Sequence, residues 1–183
     1  MPAVTPNPTA YRHLLGLRVV RRFRPDPIPP QELAAVLEAG RWTGSSKNRQ
    51  GWAFVVIDEA AAKERLATAG QFTGPIRASA VTVALIRLPG GNDFDIGRAA
   101  QNMMLAAAAR GIGSCPVTLH RRDRAREVLG LPKDHECTWV IALGYPDVPA
   151  ESEQRRQAAA RGLTGRRPLA ALVHRGRFGS AAS

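Results

Sequence analysis

Apolar and polar positions follow two periods in turn along this chain. Leu33, Val36, Leu37 and Gly40 fall at i, i+3, i+4 and i+7, which gives a helix one buried face. Pro30 and Glu32 sit in its first turn, where a missing N–H and a negative charge are both tolerated. Residues 10–17 read as a short helix, and 23–30 as an extended loop, since Pro25, Pro27, Pro29 and Pro30 forbid helix there. Short apolar, β-branched runs at 53–57 (AFVVI), 79–86 (SAVTVALI) and 138–143 (TWVIAL) predict strands, and 115–119 predicts a shorter one. The run at 79–86 barely alternates, so both of its faces are expected to be covered. A helix that Asp58 could cap follows the first strand, and 123–129 is another. Residues 95–110 (DIGRAAQNMMLAAAAR) are rich in Ala, Met and Leu around nearly the whole circumference and stop at Gly111, as a central buried helix would.

This order is mixed α and β with no internal repeat, within one domain at 10–178. Residues 1–9 form a Pro-rich arm, 149–164 a polar, charged excursion, and 179–183 a small, polar tail. With 183 residues, 44% of them hydrophobic, the chain is long enough for a substantial core. No apolar run reaches the roughly 18 residues that span a bilayer. The first fifteen residues carry prolines and an Asn where a secretory h-region should lie, so no membrane partner and a cytoplasmic location are expected. Cys115 and Cys137 sit in apolar contexts and the four histidines are scattered, which argues against a disulfide framework and a structural zinc site.

Charge changes the picture. Lys and Arg number 26 against 15 Asp and Glu, a net charge of +11, and only Lys47, Lys63 and Lys133 are lysines. Such a balance suits nucleic acid or a phosphorylated cofactor equally. No helix-turn-helix, RNP or zinc pattern is visible, so no specific nucleic-acid partner is expected.

Motifs decide between these classes. LRVVRRF at 17–23, GSSKNRQGW at 44–52 and DIGRAAQNMMLAAAARGIGSCPV at 95–117 stand in that order, with GRRPL at 165–169 near the end. Together they resemble the FMN-dependent nitroreductase family from Arg18 to about Phe178. That family opens on R-S-x-R-x-F, continues with P-S-x-x-N-x-Q-P-W before a strand and D-x-G-x-A-x-Q-N-x-x-L-A-A with G-x-G-S, and carries a late R-x-P. The chain departs at Val19, Gly44 and Gly51, where the family has Ser, Pro and Pro. One hydroxyl contact is lost, and glycine in place of proline is expected to loosen the loop.

The resemblance implies an α+β fold with a central, mostly antiparallel sheet of four to five strands flanked by helices, in an intertwined homodimer. It assigns Arg18 to the flavin phosphate or ribityl chain, with Arg22 in the same cluster, and Arg21 to a cation near the pyrimidine edge. Convergent cationic donors are what a phosphate requires. Ser45, Ser46 and Asn48 match polar side chains aimed at the isoalloxazine from the neighbouring subunit; read by themselves, Ser45 or Ser46 is an ordinary helix N-cap. Trp52, beside a strand, is read as core. Gln101 and Asn102 are expected to find hydrogen-bond partners. The run Pro116, Val117, Thr118 and Leu119 matches the stretch passing the flavin, and register from Pro116 gives the backbone N–H to flavin N5 to Thr118. Arg166, with Arg167 beside it, matches the late phosphate ligand. His120, Arg121 and Arg122 suit a basic rim.

The activity implied is hydride transfer from NADPH or NADH through flavin N5 to a nitroaromatic, quinone or similar electrophile, in a ping-pong cycle. No G-x-G-x-x-G follows a strand, which agrees with both substrates sharing one pocket. A flavin-dependent oxidase or dehydrogenase of the same family and a non-catalytic FMN-binding protein stay open. The chain is short for the family around 86–93, which points to a reduced lid.

Overall fold

The apolar runs that barely alternate become the two inner strands of the sheet. In the computed structural model, which describes residues 5–180, β2 (Val81–Arg87) and β4 (Glu136–Gly144) lie between β1 (Trp52–Ile57) and β3 (Gly113–Thr118). The order is β1-β2-β4-β3, every pair is antiparallel, and a register shift falls between Leu85 and Ile86. Both faces are covered. Ala84, Ile86, Val117, Val140 and Ala142 face a core that includes Leu66 of α3 (Ala60–Ala67), Ile76 of α4 (Gly74–Ala78) and Ala125 of α6 (Arg122–Leu129). Val83, Leu85, Ile141 and Leu143 face Val36 of α2 (Pro30–Arg41) and Ile96, Met103 and Ala107 of α5 (Asp93–Ala109). Removing these side chains from water supplies most of the driving force, about 1.5–3 kcal/mol per large one.

Val36 and Gly40 form the buried face of α2, with Leu33 and Leu37 packed beside them. A Cβ on Gly40 would stand 2.1 Å from Met103 Cε, so the missing side chain is what lets α2 lie close on α5. α6 ends at Gly130, whose φ of 64° is the left-handed cap that glycine adopts without a Cβ clash.

Several expectations need correction. α5 begins two residues early, at Asp93, because the Asn92 side chain accepts from the Asp95 N–H at 2.9 Å and caps it. The single chain covers one side of α5 and leaves the other for a partner to cover, as a dimer-core helix would. Asp95, Ile96, Ala99, Met103 and Ala107 are covered, whereas Gly97, Arg98 and Gln101 are exposed. Asp58 caps nothing: Glu59 is at the N-cap of α3 and makes no side-chain cap bond. The five-residue α4 was not foreseen. α1 (Pro8–Gly16) starts inside the proposed arm, with the Asn7 side chain accepting from the Ala10 N–H at 3.0 Å. Residues 1–4 of that arm and 181–183 of the tail lie outside the described residues.

The chain divides into two compact units, 1–148 and 149–183. The second holds most of α7 (Val148–Ala160), so the polar excursion is helical, and a 3-10 turn at Leu169–Ala171. Arg156 pairs with Glu153 at 2.6 Å there. Among the described residues no helix is long and apolar enough to cross a membrane.

Candidate active site

β3 is an edge strand, and its register decides which way its backbone points. The Leu119 N–H donates to the Thr138 carbonyl at 2.8 Å, and Thr118 stands opposite Trp139. Antiparallel ladders alternate, so Gly113, Cys115 and Val117 bond to β4 while Ser114, Pro116 and Thr118 turn their backbone groups outward. Two segments close on this outer edge. At one end the Val20 N–H donates to the Ser114 carbonyl at 2.9 Å. At the other, a Cβ on Gly70 would lie 2.9 Å from the Thr118 carbonyl oxygen, so the loop after α3 comes down onto the strand. Between them Pro116 has no N–H, which leaves the Thr118 N–H as the donor presented outward in the gap.

The segment carrying the arginines is an extended arm held to the same end of the sheet. Val20 packs on Gly113 and Phe23 on Gly144, each where a Cβ would collide at 2.8 to 2.9 Å. Phe23 bridges Pro146, the Arg24 N–H donates to the Tyr145 carbonyl at 2.8 Å, and the Asp147 N–H donates to the Arg22 carbonyl at 3.0 Å. Arg18, Arg21 and Arg22 are exposed on this arm. Arg18 donates to the Leu15 and Leu17 carbonyls at 2.7 and 2.8 Å, closing the end of α1. It also lines a hollow of about 190 Å³ with Gly111, Gly113 and Ser114.

A second hollow, apolar and about 230 Å³, opens where Pro116, Trp139 and Ile141 of the sheet meet Ile96, Gly97 and Ala100 of α5. Sequence reasoning placed Pro116 at the site and missed the rest of this wall. It also missed the loop at Gly70, although an aromatic in GQFTG, between two glycines, was a readable signal.

Ser45, Ser46 and Asn48 lie elsewhere, on a tight turn between α2 and β1. Ser45 is at the N-cap position but makes no cap bond. Instead its Oγ accepts from the Gln50 N–H at 2.8 Å, and Asn48 Oδ1 accepts from Gln50 Nε2 at 3.1 Å. Lys47, Asn48 and Gln50 have φ of 53°, 53° and 49°, a left-handed conformation that costs non-glycine residues roughly 1–2 kcal/mol each. The loop is pinned on α5, since Arg98 donates to the Gly44 carbonyl at 2.6 Å and Asn102 Nδ2 donates to Thr43 Oγ1 at 2.9 Å. Gly51 corrects the expectation of looseness: it is wedged against Gly91, with no room for a proline. Trp52 is core, 8% exposed.

His120, Arg121 and Arg122 are exposed just past β3. Arg122 faces Glu136 at 3.7 Å, and Arg121 donates to the Gly70 carbonyl at 3.4 Å. In the second unit Arg166 donates to the Gly165 carbonyl at 2.8 Å and Arg167 to that of Ala171 at 3.1 Å.

A stretch of edge with one outward donor between its two anchors, an apolar wall and a cationic arm fits a flat heteroaromatic ring bearing a phosphate. The comparisons with known proteins agree in fold and sequence. Nitroreductase NfnB of Mycolicibacterium smegmatis is 28% identical over 204 residues, covering 80% of this chain and 86% of that protein. Nitroreductase A from Vibrio parahaemolyticus has the same fold, with a TM-score of 0.82 at 22% identity over 96% of this chain and 78% of that one. The NADPH:FMN oxidoreductase from Vibrio harveyi, solved with NAD+, gives 0.81 at 21% identity over 93% and 78%. The model of the nitroreductase family matches residues 16–80 and 89–145, and the chain belongs to that family.

Proposed function

We propose that this protein is an NAD(P)H-dependent oxidoreductase that holds FMN against the outer edge of β3. One observation carries the reading: the gap between Val20 and Gly70 leaves a single outward backbone donor, Thr118 N–H, on an edge that the arginine arm also flanks. The chemistry a bound flavin supplies is hydride transfer, from NADPH or NADH to a nitroaromatic, quinone or similar electrophile, in two half-reactions sharing one pocket.

The chain's own groups orient and polarise. Thr118 presents its N–H to the flavin N5, with Val117 and Leu119 fixing the strand on either side; both are buried. Pro116 contributes an apolar surface and no competing donor. Arg18 and Arg22 hold the phosphate, and Arg21 sets positive charge toward the pyrimidine edge, which favours added electrons. Arg166 and Arg167 act as further phosphate ligands on the strength of the late R-x-P motif. Ser46 remains exposed, while Ser45 and Asn48 act through the shape of their loop. The face of α5 at Gly97 and Gln101, open in the single chain, supports a homodimer whose partner covers it. A cytoplasmic location completes the proposal.

The test is the visible spectrum of protein purified without added flavin, followed by NADPH and NADH separately under nitrogen. A flavin band bleached by either nucleotide supports the reading and names the donor. A flavin band that neither bleaches favours an oxidase or a storage protein, and a colourless protein that takes up no FMN overturns it.

A further inference from the structure

We infer that the hairpin of α3 and α4 is a gate on the flavin gap and that Lys63 is its latch, built so that the closed hairpin carries an under-satisfied buried charge. What the gate controls rests on the flavin reading above; the latch itself does not. Lys63 lies on α3, is 7% exposed, and donates through Nζ to the carbonyl of Ser79, the C-cap of α4, sixteen residues on. It thus joins the first helix of the hairpin to the end of the second. The loop between them carries Gly70, where a Cβ would stand 2.9 Å from the Thr118 carbonyl oxygen, so the tip of the hairpin is one wall of the gap. Two bonds moor that tip to the segment past β3: the Arg121 N–H donates to the Ala69 carbonyl at 2.9 Å, and Arg124 Nε donates to Thr68 Oγ1 at 3.0 Å.

The latch is a costly one. An ammonium has three donors, and among the described residues Lys63 finds one acceptor. The nearby hydroxyls are engaged with each other: Ser79 Oγ donates to the Ile76 carbonyl at 2.8 Å, which leaves Thr82 Oγ1 the donor in their 3.0 Å contact. A buried charge with donors left over favours any state that returns it to water. Opening the hairpin is such a state. Burial pushes the ammonium below its ordinary 10.5, while the Asp58 charge pulls the other way. The other charged groups around it are Glu59 before α3, Glu64 and Arg65 on it, Arg77 on α4, and Asp26 of the loop that meets Asp58 and Ala80. Glu64 pairs with Arg77 at 2.8 Å and Asp26 with Arg24 at 3.5 Å; β2 adds Thr82, which does not titrate. The closed hairpin therefore prefers the neutral amine and the open one the ammonium, so closure tightens as the pH rises toward 10.5.

The experiment compares the full-length wild type with Lys63→Met, an apolar side chain of similar length, from about pH 7 to about pH 9. Hydrogen exchange at the Arg121 amide, expressed as a protection factor, reads hairpin opening in the flavin-free protein. Flavin fluorescence reads the rate of FMN release from the loaded protein. In wild type, protection should rise and release should slow as the pH goes up. In Lys63→Met both should lose that pH dependence, with protection higher and release slower than wild type by about fivefold or more at the neutral end. Equal behaviour of the two proteins, or lower protection in Lys63→Met, overturns the inference. Should Lys63→Met fail to fold, the wild-type series decides alone, and a protection factor that stays flat or falls overturns it. Protection that moves while FMN release does not overturns the gate. A wild type that takes up no FMN refutes the flavin reading instead, and the Arg121 amide still reads the latch.

Discussion

Gly51 and Gly91 meet backbone to backbone: a Cβ on Gly51 would stand 2.5 Å from the Gly91 Cα, and one on Gly91 would stand 2.2 Å from the Gly51 oxygen. The same oxygen accepts from the Leu88 N–H at 3.1 Å, so the short turn between β2 and α5 is stitched onto the start of β1. The family's proline has no space here, because its ring carbons would meet fixed backbone. Gly51→Pro should therefore destabilise the fold by about 1–3 kcal/mol, the range for overpacking. Gly74→Ala meets nothing within 4 Å and should be neutral or stabilising by about 0.4–1 kcal/mol. Urea unfolding midpoints of the two variants check the contrast.

The outward direction of Thr118 allows a backbone donor to be deleted. Thr118→Pro removes an N–H that β4 does not use, and an edge strand accepts proline where its N–H faces away from the ladder. The far-ultraviolet spectrum should stay as it is. Flavin reduction by the nucleotide should slow by about tenfold, the equivalent of one hydrogen bond near 1.4 kcal/mol. Stopped-flow absorbance measures the rate, and an unchanged rate removes Thr118 from the mechanism.

Arginine contacts to phosphate are charge-assisted, and each is worth about 1.5–3 kcal/mol. Arg18→Ala and Arg166→Ala should each weaken FMN retention by about tenfold or more on that scale, with the double variant weaker still. Flavin fluorescence titration reads the affinity. Wild-type occupancy in the double variant would remove the phosphate site from these residues. Because Arg18 also closes the end of α1 through Leu15 and Leu17, a small loss of helix signal is expected from that variant alone.

At the exposed end of α2, Glu38 accepts from Arg41 at 2.6 and 2.7 Å and from the Trp42 indole at 2.6 Å. The Arg41 and Trp42 hydrogen bonds lower the Glu38 carboxyl from 4.5 to about 2. A carboxyl whose folded value is depressed stabilises the fold above its unfolded value and loses that contribution as the pH falls through the folded one. The clamp should hold above pH 4.5 and open on approach to pH 2. Tryptophan fluorescence followed between those limits, against Glu38→Gln as the reference, reads the opening.

Much of the fold was legible because it is written locally. β2 and β4 are built on mostly apolar runs at 81–86 and 139–143, and the spacing of Val36 and Gly40 marks the face of α2. α4 was not legible, since a Gly-Pro start to a five-residue segment reads as a turn. α7 escaped as a helix because PAESEQRRQ is polar on every side and offers no period to find. At the site, the arginines and Pro116 could be named from motifs, and the alternation of β3 was enough to turn Thr118 outward once its partner strand was known. The inward closure of Ser45 on Gln50 and the contact of Gly51 with Gly91 were not readable. One depends on left-handed residues within a loop, and the other joins positions 40 residues apart.

Pro116 has a consequence beyond the flavin. A sheet edge with a full row of donors and acceptors is a template on which any extended chain can grow. The outward row of β3 is interrupted at its middle by a residue that cannot donate and is taken at Ser114 by Val20. A foreign strand laid along it would find no continuous ladder, whereas a small molecule needs only the one N–H beyond the proline. The edge thus offers one N–H to a small molecule and no continuous ladder to an added strand.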